Sequence, residues 1–222
     1  MDAAQRKEIR ERFLAVDAAN VADVLDELGH GNYGLSSEIQ GITGERIAGW
    51  AYTIAGQMIP YEGSGDPKKM EACHGIGPDE ISVWSGAGEG VCYFGELIAL
   101  GMRERGSVGA IVDGGIRDTR ALREHGFPVF GAYRTAVQSI GRWRVTDYQQ
   151  PVYLPGATTA RVVVRPGDFV LGDEDGAIVI PAELVPEVLG KAERMTQTEQ
   201  EVRGAIRDGM SLEDALDEFG HV

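Results

Sequence analysis

The sequence predicts a layered α/β fold, and three observations carry that expectation. Helical periodicity alternates with short apolar runs of strand length. A helix-like segment at 96–105 leads straight into a buried-strand pattern at 109–115, and the stretch 161–180 reads as strands separated by tight turns. Crossovers of the first kind and hairpins of the second combine in layered α/β domains. The 31 glycines in 222 residues are about twice the average share of ~7%. With only nine prolines beside them, they mark many short elements joined by tight turns.

Taken in order, residues 4–16 place Ile9, Phe13 and Val16 at helical spacing. A second helix carries Val21, Val24, Leu25 and Leu28 on one face before Gly29 stops it. ERIAGWAYTIAG (45–56) has β-type composition, and DEISVW (79–84) ends in a short buried-strand pattern. ELIALGMRER (96–105) is a helix stopped by Gly106, and GAIVDGG (109–115) is a buried strand that breaks into a turn. A helix at 118–125 leads to FPVF (127–130) and then to a looser segment. RVVVRPGDFVLGDEDGAIVI (161–180) supplies strands broken at Pro166-Gly167 and at Asp173 to Gly176, and the chain closes with helix. No repeat, linker or low-complexity segment interrupts this pattern. Residues 1–222 are therefore read as one domain with helical N-terminal and C-terminal segments.

Composition excludes several function classes. The 35 acidic against 21 basic residues leave a formal charge of −14, so binding a phosphate backbone would work against the protein's own field. No nucleic acid partner is expected. MDAAQRKEIRERF is charged and helical in pattern, unlike a signal peptide, and no stretch approaches the ~18 apolar residues of a membrane span. A cytoplasmic location and no membrane partner follow as expectations. Cys73 and Cys92 lack C-x-x-C spacing and read as free thiols.

Three places could carry chemistry. Gly86, Gly88 and Gly90 follow a strand, with Asp113 ending the next, which superficially suggests a dinucleotide fold. The G-x-G-x-x-G spacing is not met, however, and Glu89 would stand where a pyrophosphate approaches. Arg117 and Asp118 set a guanidinium and a carboxylate side by side where a buried strand turns into a helix, the usual ligand end of such units. The plainer alternative makes Asp118 a helix cap and Arg117 an exposed turn residue. A capping box would want Glu or Gln at position 121, where Ala121 stands. Glu96 opens the preceding helix in an E-x20-R-D spacing, and Gly95 would let an anion approach the free amides of Leu97 and Ile98. The third place is the last long helix, where Glu199 interrupts a seam of Val188, Ala192, Met195, Val202 and Ile206. Such a charge either finds a partner or faces solvent. His30, His74, His125 and His221 show no paired spacing, and none belongs to the stretch from Glu96 to Asp118, which speaks against zinc. Carboxylate and water ligation suits Mg²⁺ or Mn²⁺.

Read together, YFGELIAL, GAIVDGGIRDTRALREHGFPVF and RPGDFVLGDEDGAIVIP resemble the RraA-like family, which includes 4-hydroxy-4-methyl-2-oxoglutarate aldolases. ANVADVLDELG and RIAGWAYTI resemble the family's opening helix and first strand, so the likeness is ordered along most of the chain. The resemblance implies an α/β fold of the swivelling-domain-like type, a single-domain layered β/β/α sandwich. It implies that Asp118 holds a divalent metal with water-mediated help from Glu96, and that Arg117 binds the pyruvoyl carboxylate of a small 2-oxo acid. It also implies a homotrimer, or a hexamer of two trimers, with Asp23 and Glu199 as acids reaching across the interface. From position alone, Asp23 reads equally as a first-turn acid after Asn20. The implied activity is that of a class II, metal-dependent pyruvate aldolase or oxaloacetate decarboxylase-like lyase. The alternative within the family is a non-catalytic protein that binds and inhibits a ribonuclease or other enzyme. The inhibitor that names the family lacks the aspartate matching Asp118, so its retention here favours the enzyme branch. The sequence departs from the aldolases at Glu96, where they usually have Asp, at Ala121, where many carry an acid, and at Gly141-Arg142, where some have lysine.

Overall fold

Strand β2 (Ile47–Met58) organises the molecule, because its β-type run is long enough to pair along both edges. On one edge it runs parallel to β3 (Glu80–Ser85). Its first half also pairs antiparallel with β10 (Phe169–Asp173), and its second half pairs antiparallel with β7 (Trp143–Tyr148). The computed structural model describes residues 1–86 and 88–220. From β3 the sheet continues in parallel through β5 (Gly109–Ile116) to β6 (Val129–Arg134), with short β4 (Cys92–Phe94) also on β5. An antiparallel β1 (Gln40–Thr43) closes one side, and β11 (Gly176–Ile180) returns beside β10 on the other. A separate antiparallel ribbon joins β8 (Val152–Pro155) to β9 (Arg161–Val164).

Side-chain alternation assigns the layers. Ile47, Ala51, Ile81, Val83, Ile111, Val170 and Val179 point to one face of the sheet, where Val152, Leu154, Val162 and Val164 of the ribbon cover them. The opposite face is covered by helices. Ala48, Trp50, Phe169, Leu171, Ile178 and Ile180 pack under α1 (Ala3–Phe13), α2 (Ala18–Glu27) and α6 (Val185–Arg207). Ile54, Trp84, Ala110 and Val112 pack with α3 (Pro67–Gly75), α4 (Glu96–Arg103) and α5 (Thr119–Glu124). This is the layered β/β/α arrangement expected from the sequence. A short α7 (Leu212–Phe219) packs on α6. No helix among the described residues is long and apolar enough to cross a membrane.

Most anticipated elements form where the sequence places them, with Gly29 and Gly106 in the left-handed region just past their helices. Five additions come from stretches to which the sequence reading assigns no element: β1, α3 and β4 before residue 95, and β7 and β8 in the looser segment after 130. One detail changes the reading of Asp23. Helix α2 starts after Asp17, so Asp23 lies beyond the first turn and the dipole explanation fails.

Candidate active site

The carboxyl ends of β4 and β5 meet the amino ends of α4 and α5 at one edge of the parallel half, and a cavity of about 360 Å³ opens there. Arg117 and Asp118 enter it from the turn after β5, and Gly95, Leu97 and Ile98 enter it from the start of α4. The two segments are tied by backbone: the Arg117 amide donates to the Phe94 carbonyl at 3.1 Å. Gly95 is required by this approach, since a Cβ there would sit 2.7 Å from Asp118 Oδ2.

Asp118 occupies the N-cap position of α5, yet its side chain makes no cap hydrogen bond. Its backbone is left-handed, at φ 58° and ψ 29°, a conformation that Asp and Asn tolerate better than most side chains. The carboxylate instead turns back, with Oδ2 3.3 Å from the Glu96 amide, which donates to it, and 3.4 Å from Arg117 Nε. Arg117 and Asp118 are each a little over two-fifths exposed, so the pair stands at the cavity mouth, open to a ligand. The carboxylate therefore does not cap its own helix, as the plainer sequence reading would have it, but accepts from the first amide of α4.

Glu96 differs from the expectation. Its backbone joins the constellation, but its carboxylate points to His125, with Oε1 3.3 Å from His125 Nε2. His125 thus belongs beside the Glu96–Asp118 constellation, against the sequence reading that excluded every histidine. The reason is that α4 and α5 lie side by side, a neighbourhood hidden because His125 follows Glu96 by 29 positions in the sequence. His221 lies outside the described residues. No three potential His, Cys, Asp or Glu ligands converge among the described residues, so an ion here would draw most of its coordination from water and substrate oxygens. That donor set fits Mg²⁺ or Mn²⁺, which bind through one or two carboxylates and keep several waters.

The far wall holds residues that sequence reasoning missed. Lys69 of α3 lines the same cavity, its Nζ donating to the Tyr93 carbonyl at 2.5 Å and lying 5.5 and 5.8 Å from the Trp84 and Trp143 ring centres. Burial pulls its pKa below the usual lysine value and Arg117 adds to the effect, while Cys73, Cys92 and Asp66 oppose it. Asp66 caps α3, accepting from the Lys69 amide at 3.1 Å and the Val145 amide at 2.7 Å. Asp66 followed by Pro67 is a helix-start signature that could have revealed α3. Arg142, at the position where a lysine had been sought, is exposed and donates to the Gln138 carbonyl. Cys73 and Cys92 are free, and burial pushes the Cys73 thiol up to about 11 and the Cys92 thiol in the same direction.

The remaining candidates lie elsewhere. Asp113 accepts from both the Gly86 amide, at 3.0 Å, and the Tyr93 hydroxyl, so it anchors the glycine loop and is not placed like a nucleotide's ribose acid. Asp23 is exposed on α2, outside the cavity. Glu199 has its partner on its own helix, Arg203, and faces a separate cleft with Asn20, Arg46 and Asp173. Neither acid lines the cavity that holds Arg117.

Fold and site together define a layered α/β protein with a cavity at the ends of parallel strands that carries a guanidinium, an amine and a carboxylate. The chain belongs to the RraA-like family (Aldolase/RraA), whose pattern matches residues 18–179. It is 28% identical, over 95% of its length and 94% of the relative's, to a Halalkalibacterium halodurans protein named "Putative 4-hydroxy-4-methyl-2-oxoglutarate aldolase". It is 29% identical over 94% of its length to "Protein DlpA" of Legionella pneumophila, of which it spans only 33%. Among solved structures, Streptomyces coelicolor RraAS2, described as an unusual member of the RNase ES inhibitor RraA protein family, superposes with a TM-score of 0.76 at 26% identity. That match covers 88% of this chain and 96% of the Streptomyces chain.

Proposed function

We propose that this chain is a divalent-metal-dependent carbon–carbon lyase acting on a small 2-oxo acid. It cleaves a 4-hydroxy-2-oxo acid of the 4-hydroxy-4-methyl-2-oxoglutarate type, decarboxylates oxaloacetate, or does both, and the product is pyruvate. The observation that carries this reading is Asp118: a carboxylate at the start of α5 that leaves its own helix uncapped, turns toward the first amide of α4 and is held beside Arg117 at a cavity mouth. The aldolase name of the Halalkalibacterium relative supports it.

Arg117 binds the substrate carboxylate, its planar fork spanning two oxygens. Gly95 gives α4 no side-chain cap and Asp118 takes only the Glu96 amide, so the Leu97 and Ile98 amides suit the negative charge that grows on the 2-oxo oxygen. Asp118 would hold the Mg²⁺ or Mn²⁺ ion, with Glu96 assisting through water, and that ion would supply Lewis-acid polarisation of the 2-oxo group. In the retro-aldol reaction the substrate's hydroxyl proton would pass through a water to the Glu96 carboxylate, which must first turn from its contact with His125. We further place Asp23 and Glu199 at subunit boundaries of a homotrimer or hexamer, since neither serves the cavity of its own subunit; light scattering that finds only monomer at micromolar concentration would remove both.

The test is pyruvate release from a panel of 2-oxo acids with and without Mg²⁺ or Mn²⁺, repeated with Asp118→Asn. Asp118→Asn keeps size and backbone preference, loses charge, and is expected to abolish release while the protein stays folded. Full activity in excess chelator would end the metal reading. The competing reading, a non-catalytic inhibitor of a ribonuclease or other enzyme, has the description of the Streptomyces relative on its side. It gains if no acid in the panel releases pyruvate with metal present.

A further inference from the structure

Lys69 is the one amine among the residues that line the cavity. Its single protein acceptor among the described residues is the Tyr93 carbonyl, which leaves two of its three hydrogens uncommitted. The nearest acid of its own helix, Asp66, is engaged by two backbone amides and forms no ion pair with it. The groups around it are Cys73 from α3 and Asp66 at its N-cap, Cys92 and the Tyr93 carbonyl from β4, the Trp84 and Trp143 rings, and Arg117 and Asp118, which line the same cavity. An amine held against aromatic rings, near a second cation and without an ion-pair partner, gives up its proton more readily than an ordinary lysine and can serve as acid or base.

We propose that Lys69 is the proton-transfer residue of the cavity, delivering a proton to C3 of the pyruvate enolate; this rests on the lyase reading above. Cleavage leaves an electron pair shared between C3 and the 2-oxo oxygen. That pair forms the new C3–H bond while the Nζ–H bond breaks and its electrons stay on nitrogen. The products are pyruvate and a neutral Lys69 amine, which regains a proton from water at the open mouth. In reverse, the neutral amine removes a methyl proton from pyruvate. Arg117 holds the carboxylate end and Lys69 serves the methyl end, a division of labour that two cations on one cavity permit.

The reverse step gives the test. Pyruvate is incubated in D₂O with the full chain and Mg²⁺ or Mn²⁺, and loss of the methyl proton signal is followed by NMR. Wild type is expected to exchange, with a rate that rises with pH to a plateau whose midpoint lies below the ordinary lysine value of 10.5. Lys69→Met and Lys69→Gln should slow exchange by about 10²- to 10⁴-fold, the usual share of a positioned acid or base, while still binding pyruvate by calorimetry. Exchange that persists at the wild-type rate in both folded variants overturns the assignment. So does a wild-type profile with no inflection below 10.5, a readout that needs no variant to fold. Borohydride trapping of pyruvate on Lys69 would also overturn it, by making the amine a nucleophile. Absence of exchange by wild type with metal present instead fells the enolate chemistry itself, which separates that failure from an error about Lys69.

Discussion

At the antiparallel end of the sheet, β10 and β11 lie under α1, α2 and α6, and the space between them is filled by apolar rings. Phe169 stacks on Phe13 at 4.5 Å and meets Trp50 edge-on at 5.1 Å. At the parallel end, β4 and β5 run out beneath α3, α4 and α5, and the space beyond them holds Lys69, Arg117 and Asp118. The difference follows from connectivity. A hairpin returns its chain beside itself and can bury every inward side chain, whereas parallel strands all end at one edge, where following helices begin with unpaired amides. Stability should therefore concentrate at the first end and chemistry at the second.

Three experiments would break or sharpen that division. The largest effect is expected from Phe169→Ala, which empties a fully buried site and should cost about 3–5 kcal/mol in denaturant unfolding. Turnover per folded molecule should stay near wild type. A loss of catalysis with unchanged stability would show that the two ends are not separable.

Next comes Arg117→Ala, which should lower kcat on the preferred 2-oxo acid by about 10²- to 10³-fold, or ~2.7–4 kcal/mol, with little change in thermal midpoint. Arg117→Lys should rescue only part, because an ammonium keeps the charge without the two-pronged geometry. Wild-type rates in both would make Arg117 a turn residue.

The smallest effect belongs to the helical layer's surface. Arg12 donates to Glu193 through Nε at 2.8 Å and Nη2 at 2.6 Å, and this bonding holds the Glu193 carboxyl below its usual range. Both side chains are more than a third exposed, so Glu193→Gln should cost no more than about 1 kcal/mol at pH 7. A depressed carboxyl stabilises above its unfolded pKa and loses that contribution as pH falls. The gap between wild type and Glu193→Gln should therefore narrow steadily as pH falls below the ordinary glutamate value of about 4.3. A gap that does not narrow with falling pH would show that packing, not charge, sets the difference.

The same comparison explains what could be read from the sequence. GAIVDGG announced β5 because all eight residues of Gly109–Ile116 are buried, and the E-x20-R-D spacing located Arg117, Asp118 and the start of α4 on one edge. Helix α3 escaped because periodicity detects inward positions by their apolarity. In PKKMEACHG only Ala72 is buried, and the residue reaching the cavity is Lys69. A functional inward lysine is thus disguised as a solvent-facing one. Strands β7 and β8 did carry a signal in the alternate burial of Trp143 and Val145, and of Val152 and Leu154, but each is short and flanked by turn residues. The Glu96–His125 contact had no local signal at all.

The left-handed backbone at Asp118 has an evolutionary consequence. Glycine, asparagine and aspartate are the residues that enter this conformation most readily. A lineage can therefore exchange among the three at little expense to folding, and only one of them brings a negative charge to the cavity. The scaffold and its reactivity can part company at a single position. A descendant that made the exchange would keep every layer of the sandwich, its surface and its assembly contacts, free to be selected for whatever those surfaces touch.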